Sequence, residues 1–355
     1  MKRTIGLLAV IALLAGACGG DDDRGDAAGS SSTTEAAAQE GPLTFTVLVD
    51  GPSPEGKNIQ LSAYFPGILK VHAGDTVVFD NKSTHAPHTI SFGINSDRSN
   101  SPPPVTKAAA FNPAVFGPCV TSADPTAELD ACPEAPAAEL PPYTGKGYWN
   151  SGILVPAVAP AGAKQVSVKF DESTPPGSYN YACILHGLMG GSITVVGADD
   201  ARDVPEATAT SGAKGAADAA AAAAAIPDPA DPGAGKVVSG WGNSLVAVNR
   251  FLPAVAEIKA GETVTWQGTS EYEPHTITFE APFTNPEDPR AVPPTGAKTG
   301  GSYTGGFTNS GLIGPAPFPA DTFSLRFPKA GEYAYVCVLH PGMAGSVKVT
   351  GAGAM

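Results

Sequence analysis

Histidine, cysteine and methionine are scarce in this chain, at six, five and four copies among 355 residues. Six histidines leave little room for a centre that consumes many imidazoles. Basic residues are few as well. The 21 Lys and Arg stand against 34 Asp and Glu, a net charge of −13, which disfavours nucleic acid, whose binding needs Lys/Arg clusters. After the N-terminus, no stretch is long and apolar enough to cross a bilayer. What the chain has in abundance is glycine (42) and proline (35), which suits short strands, turns and a linker rather than long helices. The length is enough for two domains with ordinary cores, and an apolar share of 42% excludes a disordered chain.

The first 17 residues read as an export signal: Lys2 and Arg3 precede a short apolar run, Ile5 to Ala15. Leu14-Ala-Gly-Ala-Cys18 then resembles a lipoprotein cleavage site, so Cys18 is expected to become a lipidated N-terminus. Residues 18–41 hold almost no large apolar side chain and are expected to be a flexible tether. The expected location is the outer face of a bacterial cytoplasmic membrane.

The rest of the chain repeats itself. Val71-His-Ala-Gly-Asp-Thr-Val-Val-Phe, continuing to Pro87-His88-Thr-Ile, aligns without a gap on Ile258-Lys-Ala-Gly-Glu-Thr-Val-Thr-Trp, continuing to Pro274-His275-Thr-Ile. Asn150-Ser-Gly recurs as Asn309-Ser-Gly, and Tyr-Ala-Cys183-Ile-Leu-His186-Gly-Leu-Met189 as Tyr-Val-Cys337-Val-Leu-His340-Pro-Gly-Met343. A long period with two copies means tandem domains. They are expected at 42–198 and 236–355, with an insertion in the first at about 93–149. An Ala/Pro/Asp-rich linker joins them at 199–235. Short β-branched segments such as Thr76-Val-Val-Phe, Gln165-Val-Ser-Val-Lys-Phe and Ser346-Val-Lys-Val-Thr predict an all-β fold of two sandwiches.

Each copy therefore carries two His, one Cys and one Met: His88, Cys183, His186 and Met189, then His275, Cys337, His340 and Met343. Copper(I) prefers soft sulfur and copper(II) prefers imidazole, so a His₂Cys set with a weak axial Met serves both states with little rearrangement. Cys-x-x-His-x-x-Met can curl around one ion from a single loop, and the remaining His comes from a strand end after a proline. Zinc is the weaker alternative, because Met is a poor ligand for it. A plain core Cys and Met, or a Cys183–Cys337 disulfide, would leave the paired histidines unexplained.

These motifs resemble the cupredoxin family of plastocyanin, azurin and amicyanin, with the ligand loops most similar to amicyanin's. The resemblance implies an eight-strand Greek-key sandwich and one type 1 copper in each domain, with electron carriage as the task. It also implies that His186 and His340 are electron ports, set among apolar neighbours (Ile184, Leu185, Leu188; Val338, Leu339, Pro341) that form a docking patch. The family often has Asn directly after the strand His, where this chain has Thr89 and Thr276.

Cys119 and Cys132 lie in the insertion and are expected to form a local disulfide. His72 and His85 have no His counterpart in the second copy and read as solvated loop side chains. Three functions use these ingredients. A carrier needs only the two sites and redox partner proteins, here expected to be membrane-associated respiratory components. Copper storage or delivery uses the same ligands. A multicopper oxidase or nitrite reductase needs further His ligands, and only two histidines remain, so no enzyme is expected.

Overall fold

The computed structural model describes residues 41–351, apart from 55, 94–116, 122–139, 158, 160, 187, 271–272, 282–297 and 315–319. The export signal, Cys18, the tether up to residue 40, and Cys132 lie outside the described residues.

The first half builds two sheets. One has the order β3 (Tyr64–Phe65), β1 (Thr44–Val49), β5 (Thr76–Asn81), β9 (Gln165–Lys169). The other has the order β4 (Ile68–His72), β11 (Gly190–Val196), β10 (Gly177–Ala182), β6 (Ser91–Phe92), β8 (Tyr148–Ser151), β7 (Pro118–Thr121). The strands alternate as a half-buried sheet requires: Val166 and Val168 of β9 face inward between exposed Gln165, Ser167 and Lys169. Their inner faces enclose Phe45, Phe79, Phe92, Trp149, Phe170 and Tyr181.

The second half repeats the plan. β14 (Val255–Lys259), β21 (Ala344–Thr350), β20 (Gly331–Val336), β16 (Thr278–Phe279) and β18 (Thr308–Asn309) form one sheet. The other runs β17 (Gly301–Ser302), β19 (Thr322–Arg326), β15 (Thr263–Gly268), β12 (Lys236–Gly242), β13 (Val246–Leu252), and then takes in β2 (Ile59–Leu61) from the first half. The core contains Trp266, Phe279, Phe323, Phe327 and Tyr335.

The two halves are thus joined by a shared sheet. Leu61 pairs with Val246, Gln60 with Ala247 and Ile59 with Val248, antiparallel. Each residue of β2 meets the equivalent strand of the other copy, with Gln60 opposite its own counterpart Ala247, so the halves are related by a pseudo-two-fold axis through that pair. The flanking backbone bonds obey the same symmetry: Ser62 N donates to Leu245 O and Asn249 N to Asn58 O, both at 2.8 Å.

The segment expected to be a linker contains α1 (Pro205–Ala224). Its alanines are good helix formers, and Pro205 at the first position opens the helix without losing a bond. Thr208, Gly212, Ala216, Ala220 and Ala223 form its buried face at helical spacing. Ala220 and Ala223 share a third core with Ile59 and Leu61 of β2 and with Val238, Trp241 and Val248 of the second half. Small residues let the helix approach closely: a Cβ at Gly212 would stand 2.6 Å from the Phe65 carbonyl oxygen. Arg202 donates to buried Asp75 at 2.5 Å and Asp203 accepts from Lys70 N at 2.7 Å, fixing the chain before α1 to the first half. His72, expected to be solvated, donates through Nε2 to Asp200 O at 2.9 Å in the same region. Among the described residues no helix is long and apolar enough to cross a membrane.

Candidate metal centres

His88 follows Pro87 and is locked into the sheet edge by paired backbone bonds with Leu154, at 3.0 and 2.7 Å. The Cys183–Met189 loop lies between β10 and β11 and closes on itself: Cys183 N donates to Met189 O and Met189 N to His186 O. This brings three ligand atoms together. His186 Nδ1 lies 3.4 Å from Cys183 Sγ and 3.0 Å from His88 Nδ1. All three side chains are buried, and Met189 is fully buried in the same core.

The second copy reproduces the arrangement. His275 pairs with Ile313 at 2.8 Å in both directions, and Cys337 N donates to Met343 O. Cys337 Sγ lies 3.3 Å from His340 Nδ1 and 4.0 Å from His275 Nδ1. Met343 is buried. In each site two Nδ1 atoms and one sulfur lie within 4.8 Å of one another, a soft thiolate and two imidazoles converging, with a methionine buried in the same core as the cysteine. This donor set fits copper.

The thiols are prepared for a metal. Burial pushes both upward, but the neighbouring histidines outweigh it and hold Cys183 and Cys337 well below the ordinary thiol value, and the thiolate is the ligating form.

Threonine carries out the linking role at the position after the strand His. Thr89 N and Thr276 N each donate to the ligand sulfur at 3.4 Å. Their hydroxyls accept from Ile184 N and Val338 N, both at 3.0 Å, tying the strand to the ligand loop. Behind them the repeated Asn-Ser-Gly finds its purpose. Asn150 accepts from Ser91, which neighbours Thr89 Oγ1, while Asn309 donates to Thr278, which donates to Thr276. Ser151 and Ser310 accept from Ile90 N and Ile277 N at 2.8 Å.

The loop histidines are not exposed ports. His186 is 3% and His340 1% exposed, and the two face each other across the junction between halves. One carboxylate bridges them: Glu273 Oε1 lies 2.9 Å from His340 Nε2, and Oε2 lies 3.4 Å from His186 Nε2. Gln60, on the pseudo-two-fold axis, donates to Glu273 Oε2 at 3.1 Å and accepts from Asn249 at 3.1 Å. With metal on each Nδ1, each Nε2 carries the proton and donates to this carboxylate. Burial works against the charge on Glu273, yet His186 and His340 hold its carboxyl well below the usual range. Burial likewise opposes charge on the imidazoles, but Glu273 and the cysteines hold His186 well above its ordinary value and bring His340 to about 9. Of the apolar loop neighbours expected to form a docking patch, Leu188 alone is exposed, at 44%.

His85 is also not a free loop side chain. It is half-buried, and its Nδ1 donates to Pro341 O in the second ligand loop at 2.6 Å. Cys119 is fully buried in β7, opposite Asn150.

Outside the two ligand sets the sites differ. His88 Nε2 donates to Asp50 Oδ2 at 3.0 Å, both side chains fully buried. Asp50 Oδ1 accepts from Gly51 N and Leu61 N. The residue register places Gly240 at the equivalent position: Val49 pairs with Asn81 as Ser239 pairs with Gly268. Both Asp50 and Gly240 have positive φ, 60° and 68°. A Cβ at Gly240 would stand 2.0 Å from His275 Nε2, and that buried nitrogen has no hydrogen-bond partner among the described residues.

Two buried sets of two imidazoles and a thiolate in tandem β-sandwiches define a protein of the cupredoxin class, and the comparisons agree. The model of the copper binding proteins, plastocyanin/azurin family, matches residues 244–350. Plastocyanin of Scenedesmus fuscus is 34% identical over 101 residues, 28% of this chain and 85% of that protein. Chloroplastic plastocyanin of Tetradesmus obliquus is 35% identical over 101 residues, 28% of this chain and 57% of its own length. A copper(I) structure of an amicyanin mutant is similar at 23% identity with a TM-score of 0.22, covering 36% of this chain and 89% of the other. The chain belongs to the plastocyanin/azurin family of copper-binding cupredoxins.

Proposed function

We propose that the protein is an exported electron-transfer protein with two type 1 copper sites per chain, one on each ligand set. The observation that carries this is the pair of buried Nδ1, Nδ1, Sγ clusters, each with a buried Met in the same loop. Bound copper supplies one-electron chemistry, cycling between copper(I) and copper(II). The chain does the rest. The loop bonds Cys183 N to Met189 O and Cys337 N to Met343 O hold each donor set in one geometry for both states. Thr89 and Thr276 hold the sulfurs in place. Burial keeps water from the ligands, which favours cycling in place over copper release. Beyond the two ligand sets the chain has only His72 and His85, and these donate to Asp200 O and Pro341 O; a carrier needs no further imidazole.

In this reading Cys18 bears the lipid, residues 18–41 are the tether, and Cys119 pairs with Cys132. Among the described residues Cys119 is not a free thiol. Partners are membrane-associated redox proteins that approach a face other than the covered His186 and His340 edges, with exposed Leu188 as the apolar element of the first ligand loop.

The test is optical and electrochemical. The copper-loaded protein should show an intense thiolate-to-copper(II) band, Cys183→Ala and Cys337→Ala should each remove about half of it, and voltammetry should be reversible without oxidase or reductase turnover. A colourless copper-loaded protein would sink the proposal.

A further inference from the structure

We infer that Asp50 ranks the two centres, holding the reduction potential of the His88–Cys183–His186 centre below that of the His275–Cys337–His340 centre. The inference rests on both ligand sets being copper sites of the proposed kind, and it goes further by ordering them.

The warrant is a difference at equivalent positions in the two copies. In the first, a fully buried carboxylate accepts the Nε2–H of ligand His88 at 3.0 Å. A carboxylate behind a metal-bound imidazole raises its donor strength. It also places a negative charge close to the site in a poorly screening interior. Both effects stabilise the more highly charged oxidised state, which lowers the potential. In the second copy Gly240 stands in place of Asp50, and His275 Nε2 has no partner among the described residues. The carboxylate has no room there, because the imidazole edge occupies the space of a Cβ.

Among the described residues, the other carboxylate that touches the centres does not undo the ranking. Glu273 is shared by the two loop histidines, at 2.9 Å from His340 and 3.4 Å from His186. It lowers both potentials, and its slightly shorter distance to His340 lowers the second a little more, a small effect against the ranking. Asp50 touches one centre alone. The backbone bonds to sulfur are matched at 3.4 Å. The Thr89 hydroxyl lies 3.8 Å from Cys183 Sγ, a weak contact of opposite sign. On partial reduction, therefore, the first electron resides at the Cys337 centre, with no proton or covalent bond changing hands.

The experiment is a potentiometric titration followed by the thiolate-to-copper(II) absorption. Cys337→Ala isolates the first centre and Cys183→Ala the second. The first should titrate at the lower potential. Asp50→Asn and Asp50→Gly, both compatible with positive φ, should raise the potential in the Cys337→Ala background and leave it unchanged in the Cys183→Ala background. Equal or reversed potentials would overturn the ranking. A shift of both centres, or loss of the band in both Asp50 variants, would make Asp50 a structural support and overturn its role. Absence of the band from the parent protein would instead refute the copper reading itself.

Discussion

Thr276 links the second ligand strand to its loop with one hydroxyl, which accepts from Val338 N at 3.0 Å. Thr276→Val keeps the shape and leaves that amide without its acceptor, so it should cost about 1–3 kcal/mol in urea unfolding. Gly240 is constrained from the other side. Gly240→Ala would drive a Cβ into His275 Nε2, so it should selectively abolish the second centre, halving the visible band while Cys183 keeps its copper. The ligands themselves were legible because Cys, His and Met are rare here and recur at one spacing. Asp50 and Glu273 were not. Each occurs in one copy only, opposite Gly240 and Ala86, and a buried carboxylate is indistinguishable in sequence from the many solvated ones of an acidic chain.

At the scale of elements, the strands follow the repeat, while the Ala-rich linker carries a packed helix, α1. Composition marks the segment as a linker, and its alanines serve close packing. Gly212→Val would overpack the contact with the Phe65 backbone, and should destabilise by about 1–3 kcal/mol in thermal or urea unfolding. The pairing of β2 with β13 was equally hidden. Ile59–Leu61 reads as an ordinary short strand, and nothing local says that it completes the other half's sheet rather than its own. The insertion also gives up only one strand, β7, to the described fold.

As a whole molecule, the two sandwiches share a sheet, a helix-capped third core and a bridging carboxylate. They should therefore unfold together, giving one calorimetric transition in the copper-loaded protein. Two well-separated transitions would show that the junction contributes little. Glu273→Ala leaves two buried imidazole N–H groups without their acceptor, each worth about 1–3 kcal/mol, and should broaden or split that transition. The junction also changes what the paired sites mean. Two beads on a string would each expose a loop histidine to a separate partner, whereas here the loop histidines face one another through Glu273.

The most direct measurement is copper content with a redox titration of the copper-loaded protein. Two coppers per chain, each accompanied by thiolate-to-copper(II) absorption and each taking up one electron, is the predicted result. One copper per chain, or copper bound without that absorption, would contradict it.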